Sequence, residues 1–91
     1  MIKASEVKAL VQPANLNEVK VRSDKLIQRI EDLIVSSAKL GYSENTYNIG
    51  FELHDAKNLL TQREITVNVL SVLQTHGYSV DLQGTTLFIK W

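Results

Sequence analysis

The 91-residue chain predicts an α+β fold: a short N-terminal helix, a long helix, then a β-α-β-β run. Its three strands are expected to form a mixed sheet of order 1-3-2, with the helices packed on one face. Two stretches carry apolar residues at the three- and four-residue steps of a helix. Three shorter stretches alternate apolar and polar residues, as a half-buried strand does. Gly41 and Gly77 stand where the two longer helical patterns stop, in the position that favours a left-handed residue.

Residues 4–12 carry Val7, Leu10 and Val11 at helical spacing, with Ser5 as the expected N-cap and Pro13 as the stop. A helix this short is not stable alone, so it must dock on its own core or on a neighbouring subunit. Residues 16–40 make the longest pattern, through Leu16, Val19, Leu26, Ile27, Ile30, Leu33, Ile34 and Ala38. Two starts fit it. Asn15 and Glu18 form a capping box, or Ser23 caps a shorter helix from Asp24.

Residues 46–53 alternate Tyr47, Ile49, Phe51 and Leu53 with polar neighbours, which predicts the first strand. Gly50 in its middle implies a bulge or a close neighbour. Residues 54–60 read as a loop. Thr61 and Glu64 then match a capping box, and Ile65, Val69, Val72, Leu73 and His76 share a helical face. Residues 78–82 alternate again, Gln83-Gly84 suits a tight turn, and residues 85–91 form the last strand. A strand–helix–strand crossover sets the first two strands parallel. The third strand, apolar on both phases through Phe88, is placed at the centre. The outer face then carries Asn48, Gly50, Glu52, Ser79, Asp81, Thr86, Phe88 and Lys90. The chain is read as one domain, with residues 1–14 as an arm and 15–91 as the core.

Composition narrows the function. Ten basic residues balance ten acidic ones, which argues against a general nucleic-acid binder and permits self-association. With no cysteine, disulfides, zinc–thiolate sites and thiol catalysis are excluded. Met1 to Glu6 lack the apolar core of a signal peptide, and no window is apolar enough to span a membrane.

Candidate chemistry is sparse. His54, Asp55 and His76 are the one possible metal cluster, but their spacing gives no helical ligand pair. His76 in a last helical turn suits the helix dipole instead. No nucleophile elbow and no phosphate loop are present. Lys20, Arg22, Lys25 and Arg29 concentrate positive charge. Arg22, Lys25 and Arg29 share a helix face, and Thr61 with Arg63 offers a helix N-terminus, so these residues are the anion-binding candidates. Tyr47, Tyr78 and Trp91 fall on apolar strand phases and read as core. Phe88 on a polar phase reads as an interface anchor. Val7, Leu10 and Val11 on the N-terminal helix are the other interface candidates.

The run His76-Gly77-Tyr78-Ser79-Val80, followed by Leu87-Phe88-Ile89-Lys90-Trp91, gives the chain a family likeness. Upstream stand Arg29-Ile30-Glu31-Asp32-Leu33-Ile34, Ser37-Ala38-Lys39-Leu40-Gly41 and Ile2-Lys3-Ala4-Ser5-Glu6. In order and spacing this resembles a group of small tailed-bacteriophage proteins. Their pattern is helix, long helix ending in Gly, strand, helix, Gly-Tyr-x-Val strand and terminal Ile-x-Trp strand. The chain departs from it at His76, where Leu is usual, at Lys90, where Ser is usual, and in an insert around Glu44–Thr46. The resemblance implies a phage origin and a fold, and no catalytic residues. The expected function is therefore non-enzymatic: a self-associating virion or assembly component, a homo-oligomer or a partner of other phage or host proteins. No cofactor, metal or membrane is involved, and the location is the virion or host cytoplasm. The alternative is a phage inhibitor of host defence or host machinery that binds a signalling nucleotide or a host protein.

Overall fold

A computed structural model describes residues 1–91. The elements are α1 (Ala4–Ala9), α2 (Leu16–Lys39), β1 (Glu44–Asn48), α3 (Gly50–Asp55), α4 (Leu59–Thr75), β2 (Ser79–Gln83) and β3 (Thr86–Lys90). The sheet order is β1-β3-β2. The α+β class, the helix–helix–sheet order, the central last strand and the one-sided helix layer all follow the sequence pattern.

Local chemistry decides the helix boundaries. The Asn15 side chain accepts from the Glu18 backbone N–H at 3.0 Å, so α2 starts at Leu16 and runs 24 residues, about 36 Å. Ser23 is therefore interior to α2 and fully buried. Two reciprocal bonds close the helix, from Tyr42 N–H to the Ser37 carbonyl and from Gly41 N–H to the Ala38 carbonyl, each 3.0 Å. They need a left-handed residue between them, and Gly41 has φ 91°. The same pair of bonds ends α4 around Gly77.

The core is the sheet's inner face against α2 and α4. Leu26 and Ile30 of α2, Ile65 and Val69 of α4, and Leu87 and Ile89 of β3 are each at most 1% exposed. Tyr47, Tyr78, Val80, Leu82 and Trp91 pack around them. The Trp91 indole N–H donates to the Tyr42 carbonyl at 3.0 Å.

Several expectations are corrected. The sheet is not mixed: β1 and β2 both pair antiparallel with β3. They run in the same direction but never touch, because β3 lies between them. The first strand is Glu44–Asn48 rather than 46–53. Its apolar alternation continues through Phe51 and Leu53, but the chain turns at Asn48, whose side-chain oxygen accepts from Gly50 N–H at 2.8 Å. Ile49, at φ −85° and ψ −5°, is already helical, and α3 occupies part of the expected loop. Gly50 and Glu52 consequently leave the outer sheet face, and Phe51 becomes 80% exposed. The N-cap of α4 is Asn58, which accepts from Thr61 N–H at 3.1 Å, so Thr61 is not the cap despite Glu64 three residues on. Ser5 lies within α1, whose N-cap is Lys3. The hairpin turn is Gly84-Thr85, one residue later than expected. Only Gly84 has positive φ there, 64°, which suits a type II′ turn.

Space at Gly50 is tight. A Cβ there would lie 2.9 Å from the Asn48 side-chain oxygen and 3.3 Å from Thr85 Cβ and Cγ2. Gly50→Ala is expected to lower stability by about 1–3 kcal/mol, as overpacking does. Urea unfolding would show this as a reduced midpoint with an unchanged slope.

Candidate interaction surface

The N-terminal arm makes little use of its own chain. Residues 1–13 are all exposed, and α1 buries nothing. The candidate contacts Val7, Leu10 and Val11 are 45%, 66% and 60% exposed. The arm is held only at its base, where Asn58 Nδ2 donates to the Gln12 carbonyl at 3.2 Å. Next to it, Asn15 N–H donates to Thr61 Oγ1 at 3.1 Å. The molecule is thus 59 Å long and 24 Å across. Its radius of gyration is 15.9 Å, against about 12 Å for a compact chain of this length.

The outer sheet face is the second uncovered surface. Three rows cross it: Glu44–Lys90–Ser79, Thr46–Phe88–Asp81 and Asn48–Thr86–Gln83. Phe88 holds the centre and remains 37% exposed. Lys90 Nζ lies 3.7 Å from Glu44 Oε2. Toward the end opposite the arm, Leu40, Tyr42 and Phe88 line an open depression of about 760 Å³ with Glu44 and Lys90.

The anion-binding candidates are placed apart and mostly engaged. Arg22 Nε pairs with Glu18 at 2.8 Å, and Arg29 pairs with Glu52. Thr61 is fully buried, with its hydroxyl turned to Asn15. Lys25 and Arg63 are exposed and form no ion pair. The imidazole Nδ1 of His76 donates to the Val72 carbonyl at 2.8 Å within its own helix. No three His, Asp or Glu side chains gather as a metal site. No helix is long and apolar enough to cross a membrane.

The one cluster that the sequence pattern missed centres on Glu52. Its side chain is 14% exposed. Oε1 accepts from the Tyr47 hydroxyl at 2.8 Å and from the Arg29 guanidinium, while Oε2 is buried without a partner. Burial alone would raise the Glu52 carboxyl. The Tyr47 hydroxyl, the Arg29 guanidinium and a backbone bond outweigh it and hold the group below its ordinary value. Burial, then the bond to Glu52, pushes the Tyr47 hydroxyl up. The bond to Glu52, then its charge, raises Arg29. The cluster ties α3 to α2 and β1, which is a structural task. Contact order hid it: Glu52 and Arg29 are 23 residues apart, and Glu52 looks like an outer-face strand residue.

Tyr47→Phe is expected to cost about 1–3 kcal/mol, as loss of a hydrogen bond to a charged group does. A lowered Glu52 pKa means that its stabilisation is present above the ordinary value of 4.5 and is lost as pH falls through the folded value. The difference between wild type and variant should therefore hold at neutral pH and shrink in acid, as measured by urea unfolding across pH. No protein family, curated protein or solved structure matches this chain.

Proposed function

We propose that this chain is a non-enzymatic protein that acts by protein–protein contact, as a self-associating component of a tailed-phage virion or of its assembly. The observation that carries the reading is the N-terminal arm. It presents Ile2, Val7, Leu10 and Val11 to solvent on a segment with no core of its own. A six-residue helix is not stable by propensity, and a partner surface supplies what the fold withholds. The small core, 11 buried apolar residues in a chain of 91, gives association a further advantage. Zero net charge adds no repulsion between copies. The phage context rests on the ordered resemblance of the chain to small phage proteins.

The alternative, an inhibitor of host defence or host machinery that binds a signalling nucleotide or a host protein, has less behind it. A phosphate would have to compete with Glu18 for Arg22 and with Glu52 for Arg29. Light scattering of the full chain at two salt concentrations tests the proposal. A mass of at least twice 10.3 kDa is expected, with fewer copies per particle when residues 1–13 are removed. A full-length monomer at every concentration overturns it.

A further inference from the structure

The sheet has two open edges, and they differ in what they can pair with. Trp91 N–H donates to the Ser43 carbonyl at 3.0 Å, and Ile49 N–H to the Thr85 carbonyl at 2.9 Å. These bonds set the alternation along β1. Asn45 and Tyr47 turn their backbone groups to β3, so Glu44, Thr46 and Asn48 turn theirs to the free edge. On β3, Leu87 and Ile89 thus serve β1, while Thr86, Phe88 and Lys90 serve β2. Ser79, Asp81 and Gln83 are their partners, which leaves Val80 and Leu82 facing the other free edge.

We propose that β1 pairs with β1 of a second copy, antiparallel about a two-fold axis at Thr46, so that two chains share one six-stranded sheet. This adds a second contact, independent of the arm, to the self-association reading and rests on that reading. In that register Thr46 faces its own copy and Glu44 faces Asn48. Every outward N–H meets an outward carbonyl, and no like charges oppose. At β2 a two-fold engages both outward residues, Val80 with Leu82, only when it is centred on Asp81, and that sets two carboxylates against each other, which is destabilising. Centred on Val80 or Leu82, it aligns a single outward pair within the strand. β1 contains no proline, bulge or lysine, the usual devices that block an edge. In the single chain the Asn45 side-chain oxygen holds Thr46 N–H at 2.7 Å. The incoming strand replaces that one bond with a paired ladder.

The helix layer matches the sheet layer. Asn45 reaches Ser37 of α2 at 2.7 Å, and Tyr47 meets Arg29 through Glu52. Thr46 therefore lies level with the stretch between those positions, where Leu33 sits. Arg29, Leu33 and Leu40 share the β1-side flank of α2 by helical spacing. Leu33 is half-buried yet stands outside the core built on Leu26 and Ile30. The two-fold axis brings Leu33 of each copy toward the other, and apolar surface at the flank is covered.

The chain has no cysteine, so a single introduced thiol reports one contact. Thr46→Cys places two thiols across the axis. The Cα separation of a hydrogen-bonded antiparallel pair, about 5.5 Å, lies within disulfide range. Under mild oxidation, T46C is expected to run mainly as a reductant-sensitive dimer on a denaturing gel, and Asp81→Cys as a monomer. Both positions are exposed, so both variants keep the fold. If light scattering gives an oligomer but T46C links no better than D81C, the β1 assignment is overturned and self-association stands. If the unmodified chain is a monomer throughout, both fall.

Discussion

The burial of two side chains, Leu87 and Ile89, on the middle strand is the constraint from which the rest is arranged. They alternate with Thr86, Phe88 and Lys90, so one face of β3 is sealed and the other stays wet. Because β3 is central, its edges position both neighbours, and α2 and α4 must cover the sealed face together. α2 does so with Leu26 and Ile30, α4 with Ile65 and Val69. Shifting β3 by one residue would invert this pattern and put Phe88 in the core. Register and fold are thus the same fact.

What was legible in the sequence follows from which signals are local and repeated. The 24 residues of α2 carry many turns of one apolar stripe, and Asn15, Gly41 and Gly77 mark ends by their own backbone chemistry. The strand after α2 ends sooner than its pattern implies, because Tyr47, Ile49, Phe51 and Leu53 keep a two-residue rhythm past the point where the strand stops. A single bond from Asn48 to the Gly50 amide overrides that rhythm. At α4 two residues compete for the role of cap. Asn58 takes it, and Thr61 is turned inward to meet Asn15, 46 positions away. No window of sequence contains that contact.

The surfaces proposed for association divide in the same way. Val7, Leu10, Val11 and Phe88 stood out by residue type and phase, and all four are exposed. The free edge of β1 did not stand out, because its capacity lies in backbone groups rather than side chains. Glu44, Thr46 and Asn48 look like ordinary polar strand residues until the ladder shows which way their amides point. The charged pairs behave oppositely. Arg22 and Arg29 suggested an available basic face, but folding supplies Glu18 and Glu52 as their counterparts.

The arm and the body meet through a residue with two tasks. With its side-chain oxygen Asn58 caps α4, and with its side-chain nitrogen it holds the Gln12 carbonyl. Thr61, in the first turn of the same helix, holds Asn15 where α2 begins. A load on residues 1–11 is therefore transmitted to the starts of both long helices. Were the arm captured, fraying of those helix ends would be the equilibrium linked to it through these bonds. A partner that grips the arm firmly would tighten or loosen the helical layer from one end, at a distance from the sheet.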